Sequence, residues 1–145
     1  MDFVYTKFLE WQWAGGSFNP LTDVLKCSLV NETGVAPVYT PNVATDEFIN
    51  VLPVGSSLAT ATLTAKTVTP ISRKVVLDAA DVQFPVVAGS RVDAAVFWID
   101  TGNPATSRLI CHYTSVSGFP FTPVGLALLL LLPNSVDKLL SISDV

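Results

Sequence analysis

Ser90-Arg-Val-Asp-Ala-Ala-Val-Phe-Trp-Ile-Asp-Thr-Gly-Asn-Pro-Ala-Thr-Ser-Arg-Leu-Ile-Cys-His-Tyr113 is the stretch around which the chain is organised. Two β-rich runs, Val92–Ile99 and Arg108–Tyr113, flank Asp-Thr-Gly-Asn-Pro, where glycine supplies positive φ and proline cannot donate to a ladder. The reading is a hairpin with a loop of several residues. Its first run is apolar without a break from Ala94 to Ile99, the pattern of a strand covered on both faces. Alternation from Arg108 sets His112 and Ile110 against Leu109, Cys111 and Tyr113.

Upstream, Val24–Val30 alternates, with Leu25, Cys27 and Leu29 inward and Lys26 and Ser28 on a solvated face. Asn31-Glu32-Thr33 has the form of a glycosylation acceptor, but with Gly34 it reads as a turn. Thr45–Asn50 reads as a short helix with Thr45 as N-cap and Asp46 and Glu47 in the first turn. Leu58–Thr69 alternates over a long run, with Leu58, Thr60, Thr62 and Thr64 set against Ala59, Ala61, Leu63 and Ala65, as one long or bent strand. Lys74–Leu77 and Val82–Phe84 are strands joined by a turn at Asp78-Ala-Ala-Asp81. At the N-terminus, Asp2–Trp13 carries Val4, Phe8 and Trp11 at helical spacing and stops at Gly15-Gly16.

Downstream, Ser117–Gly125 holds Phe119 and Phe121 in a segment too rich in Pro and Gly for a ladder. Leu126–Leu132 is a strand, with Leu139–Ile142 expected antiparallel to it after a turn at Pro133-Asn134-Ser135. So apolar a run is an aggregation hazard at an edge, and must sit centrally or be covered in an assembly. The fold class is all-β: a β-sandwich or flattened barrel of about seven short strands with a short N-terminal helix, one domain over residues 1–145.

Composition narrows the function. Of 145 residues, half are hydrophobic and 14% are charged, so hydroxyls dominate the polar surface and apolar area is left to bury against other subunits. With 8 basic against 12 acidic side chains and no basic run, nucleic acid is not an expected partner. The opening Met-Asp-Phe-Val-Tyr-Thr-Lys does not have the form of a secretory signal. Leu126–Leu132 is far short of the roughly 20 residues a membrane helix needs.

Candidate chemistry is sparse. Phe97-Trp98-Ile99-Asp100-Thr101-Gly102 matches the aspartic-protease triplet, in which two carboxylates share a proton, and the alternative reading it offers is a dimeric aspartic protease using Asp100. Asn103-Pro104 replaces the alanine that should follow, and Asp-Thr-Gly is ordinary turn chemistry. His112 is the sole histidine, and on a strand it points away from Cys111, wrong for a nucleophile and base. Asp78 and Asp81 have no further ligands near them, and no zinc or phosphate-loop spacing occurs; no catalytic, metal or cofactor site is expected. Cys27 and Cys111 read as free core thiols, with pairing left open.

Several pieces resemble, in collinear order, a family of small tailed-bacteriophage virion proteins. They are Tyr5-Thr6-Lys7-Phe8, Val24–Val30, Ala65-Lys66-Thr67-Val68-Thr69, Asp78-Ala-Ala-Asp81-Val-Gln-Phe84, Ala95–Gly102, Ala105-Thr-Ser-Arg-Leu-Ile110 and Gly118-Phe-Pro-Phe-Thr-Pro123. The chain departs from that pattern where Leu126–Leu132 and Pro133-Asn134-Ser135 replace a polar strand and an Asp-Asn-Gly turn. The resemblance implies a structural protein of the capsid decoration (cement) type, on the outer surface of the virion capsid. It would be a homotrimer binding the major capsid protein without catalysis, cofactor, nucleic acid or membrane; a tail or head–tail connector component is the alternative. Contacts are expected from Phe8, Trp11, Trp13, Phe119 and Phe121, since aromatic anchors dominate interface energetics.

Overall fold

The computed structural model describes residues 2–132 and 140–143. In chain order they form β1 (Phe3–Val4), α1 (Thr6–Trp13), β2 (Leu25–Val30), a 3₁₀ turn (Ile49–Val51), β3 (Ser57–Thr62), β4 (Thr67–Ile71), β5 (Lys74–Asp78), β6 (Val82–Val87), β7 (Ala94–Ile99), β8 (Leu109–Tyr113), β9 (Leu126–Leu130) and β10 (Leu140–Ser143). The fold is all-β with one short N-terminal helix. The strands pair antiparallel in three sheets, ordered β1-β8-β7-β2-β3, β10-β5-β4 and β6-β9.

The hairpin is the middle of the largest sheet. All six residues of β7 are buried, because β2 and β8 flank it and both faces are covered. Cross-strand partners share a face, so Cys27, Phe97 and Cys111 form one row, with Phe97 between the two thiols. Both cysteines are free and buried, a strand apart on each side. A register shift against Phe97 and Trp98 makes Ile110 an extra residue in β8. Leu109 therefore lies opposite Trp98 and Cys111 opposite Phe97, so the simple alternation expected from Arg108 is broken by a bulge.

The face of β2 expected in solvent is largely covered: among its six residues only Lys26 is partly exposed. Ser28 is buried, where its hydroxyl accepts from Trp98 Nε1 at 2.9 Å and bonds Thr60 at 2.8 Å. Lys26 instead reaches Asp100 at 2.6 Å. Both polar groups are satisfied, as burial requires.

Other expectations fail for local reasons. Phe3 and Val4 pair with His112 and Cys111, so the helix starts only at Thr6. The helix expected at Thr45–Asn50 does not form, because its backbone is taken by the start of β8: Leu109 N donates to Glu47 O at 3.0 Å and Ile49 N to Ser107 O at 2.8 Å. Asp46 serves another partner as well, accepting from the Tyr39 hydroxyl at 2.6 Å and the Asn42 amide at 2.8 Å. Leu58–Thr69 is not one strand but β3 and β4 in different sheets, broken at Ala65 with φ +49°. Leu63 turns inward and is buried, its amide bonded to Leu25 O. β10 pairs with β5, Leu140 opposite Leu77, and not with the leucine-rich strand; the turn expected at Pro133-Asn134-Ser135 lies outside the described residues. Among the described residues β9 pairs only with β6.

The turn at Asn31 anchors the end of β2. Asn31 is buried; its amide donates to Val35 O, Pro37 O and Ser90 Oγ, and its carbonyl accepts from Gly34 N. Gly34 is required by close approach, since a Cβ there would lie 2.6 Å from Asn31 Oδ1 and 2.8 Å from Arg91 Cβ. Asp93 completes the corner, accepting from the amides of Glu32 and Thr33, from Thr33 Oγ1 and from Arg91 Nε. Asn31→Ala strands these buried groups and should cost about 2 kcal/mol. Urea denaturation should show a lower midpoint at unchanged slope; an unmoved midpoint would refute the anchor.

Candidate functional site

The aromatic residues singled out from the sequence occupy two places and three environments. Phe8 is buried in the common core, edge-on to Phe18 at 5.2 Å, so it holds α1 down and offers nothing to a partner. Trp11 is half-buried beneath the Arg108 guanidinium at 4.6 Å, which also covers Phe48 at 4.8 Å and pairs with Glu47 at 2.7 Å. This cation–π stack fixes the helix against the start of β8. Trp13 is 91% exposed. Leu9, one helical turn earlier and so on the same side, is 44% exposed. A bare tryptophan beside a leucine is the composition of an interface anchor.

Phe119 and Phe121 lie together, ring centroids 5.7 Å apart. Phe121 is held to Val92 by two backbone hydrogen bonds, which sets this loop against the entry to β7. With Val116, Ser117, Gly118 and Leu128 to Leu131 the two rings line a groove of about 240 Å³. Every lining residue is uncharged. Of the groove's leucines, Leu129 is 55% and Leu131 64% exposed while Leu130 is buried; next along the chain, Leu126 is 68% exposed and Leu132 is buried. These outward leucines were not among the candidates read from sequence. The available signal was the hydrophobic run itself, which has no polar residue to mark an outer face.

The chemical candidates have structural partners. Asp100 accepts from the Gly102 amide at 2.8 Å and is ion-paired with Lys26 at 2.6 Å. The Lys26 hydrogen bond, with that from Gly102, holds its carboxyl below the usual carboxylate range, opposite to the shared proton an aspartic dyad needs. Gly102, at φ +84°, turns the chain. His112 is buried, bonded through Nε2 to Glu32 and stacked on Phe3 at 4.6 Å. Burial pushes the Cys111 thiol up to about 12 and Cys27 well above its ordinary value, so neither is a ready nucleophile. Among the described residues no group of three or more His, Cys, Asp or Glu is placed to hold a metal ion, and no helix is long and apolar enough to cross a membrane.

No protein-family model, curated protein or solved structure matches the chain.

The corner at Asp93 makes stability depend on pH. Burial would raise this carboxyl, but hydrogen bonds from the Glu32 amide, Arg91 and Thr33 hold it below its ordinary value. A carboxylate lowered in the folded state stabilises above its unfolded pKa, about 4, and loses that contribution as pH falls through the native value. Asp93→Asn should therefore be less stable at neutral pH and lose less stability between about pH 4.5 and about pH 2.5. Urea titrations of both proteins across that range check it; parallel pH profiles would contradict it.

Proposed function

We propose that this chain is a capsid decoration protein: it binds the outer surface of a tailed-phage head and stabilises the lattice of the major capsid protein. The class rests on the collinear motifs between Tyr5 and Pro123. Adhesion is favoured over catalysis by one observation, the exposed Trp13 at the end of a helix that Phe8 and Trp11 clamp to the body. A rigidly mounted aromatic binds without much ordering cost, since its scaffold is already fixed. On the particle the chain would act as a homotrimer where capsomers meet. It needs no cofactor, and its polar clusters serve the fold.

A tail or head–tail connector role is the second reading carried by the same motifs. Separated heads and tails, quantified by mass spectrometry, distinguish the two: hundreds of copies on heads support decoration, and a dozen or fewer, or recovery only with tails, overturns it. Trp13→Ala should leave folding intact, because the ring is in solvent, and weaken re-binding to stripped heads by tenfold or more, the effect of an anchor worth about 1.4 kcal/mol or above. Unchanged occupancy would remove Trp13 from the contact.

A further inference from the structure

Among the described residues the edges of the sheets are protected, with one exception. β1 has two residues. β3 reads Ser-Leu-Ala-Thr-Ala-Thr, with polar residues at three of its six places. β4 contains Pro70, β6 contains Pro85 and a register shift, and β10 has serine at every second place. Short length, proline, bulges and polar residues are the devices by which an edge avoids adding another strand. β9 has none of them: it reads Leu-Ala-Leu-Leu-Leu and pairs on one side only among the described residues.

The open side can be identified. Leu132 N donates to Asp81 Oδ1 at 2.9 Å, on the β6 side. By strand alternation the amides of Leu130 and Leu128 face β6 as well, and those of Ala127, Leu129 and Leu131 face away. The same alternation puts the Leu129 and Leu131 side chains on the outer face, where they are exposed. The open edge runs beside the uncharged groove under Phe119 and Phe121.

We propose that β9 is a two-fold contact between copies of this chain, pairing antiparallel with β9 of a second copy to join two β6-β9 sheets into one. The outward amides set the register, with Leu129 opposite the second copy's Leu129 and Ala127 opposite the second copy's Leu131. A small residue thus meets a large one at each end. Charge favours self-pairing, because from Leu109 to Val136 the chain has no Asp, Glu, Lys or Arg and two copies bring no like charges together. An isologous contact closes on itself and leaves no further edge at this strand. A three-fold arrangement cannot pair one edge of the same strand with itself in all three copies, so this contact is separate from the capsid reading and does not rest on it.

The register gives the test. In a hydrogen-bonded antiparallel pair the Cα atoms are about 5.5 Å apart, within disulfide reach. Under mild oxidation Leu129→Cys should give a covalent dimer, Leu131→Cys alone should give little, and a mixture of Ala127→Cys with Leu131→Cys should give the heterodimer. Cys27 and Cys111 are buried and supply no background. Light scattering of the unmodified chain should give twice the 15.5 kDa chain mass, halving in Leu129→Lys. A monomeric wild type, equal crosslinking by Leu129→Cys and Leu131→Cys, or a trimer unmoved by Leu129→Lys would overturn the proposal. If Leu129→Lys fails to fold by circular dichroism, the cysteine pairs decide alone.

Discussion

The whole structure depends on covering β7 from both sides. Six consecutive buried residues, Ala94 to Ile99, can be satisfied only by strands on each edge and a packed layer on each face, because an unpaired backbone amide in that position costs as much as a lost hydrogen bond. The remaining elements follow from this demand. β2 and β8 occupy the edges and become buried themselves, which forces a partner on every polar group they bring inward. Ser28 finds Trp98 and Thr60, Lys26 finds Asp100, and His112 finds Glu32 and Phe3. The ends are closed in the same way, by Asn31 and Asp93 at one corner and by Arg108 between Trp11 and Phe48 near the other end of the hairpin.

Polar residues that resemble functional ones are therefore largely products of burial. Asp100 looks catalytic in a triplet of sequence, yet its two acceptor oxygens end the hairpin strand, one on Lys26 and one on Gly102. Asp46, placed in sequence to charge a helix terminus, accepts the Tyr39 hydroxyl, which is itself bonded to Tyr5. In each case a long-range partner outweighs the local pattern, since a buried hydroxyl or amide left unpaired is more costly than a helix of one turn left unformed.

Legibility in the sequence followed whether a residue's partner was near in the chain. The central hairpin, the turn at Asn31 and the loop holding Phe119 and Phe121 were readable because their patterns are local and strong. The helical pattern of Thr45–Asn50 does not hold because Ser107 and Leu109, some sixty positions away, take its backbone groups. Leu58–Thr69 alternates only as far as Ala65; the adjacent polar pair Lys66-Thr67 shifts the phase by one residue, and that slip was the local mark of the change of sheet. Among the aromatic candidates, the helical stripe could not tell Phe8, which is core, from Trp13, which is in solvent.

β9 shows the limit most directly. Alternation reveals an outer face only where polar residues stand on it, and in Leu126–Leu132 both faces carry the same side chains. Sequence could say that such a run must not be left open, and the structure says which side is open, because Asp81 fixes the direction of one amide and the pleat fixes the rest. A hydrophobic strand with no proline, charge or bulge is a weak solution for a solitary domain, when the other edges of the same chain are guarded by cheaper devices. The contrast within one molecule carries more than the hydrophobicity of the run alone. Among the described residues the other sheet edges carry such devices and β9 carries none, and this is what marks it out for strand pairing.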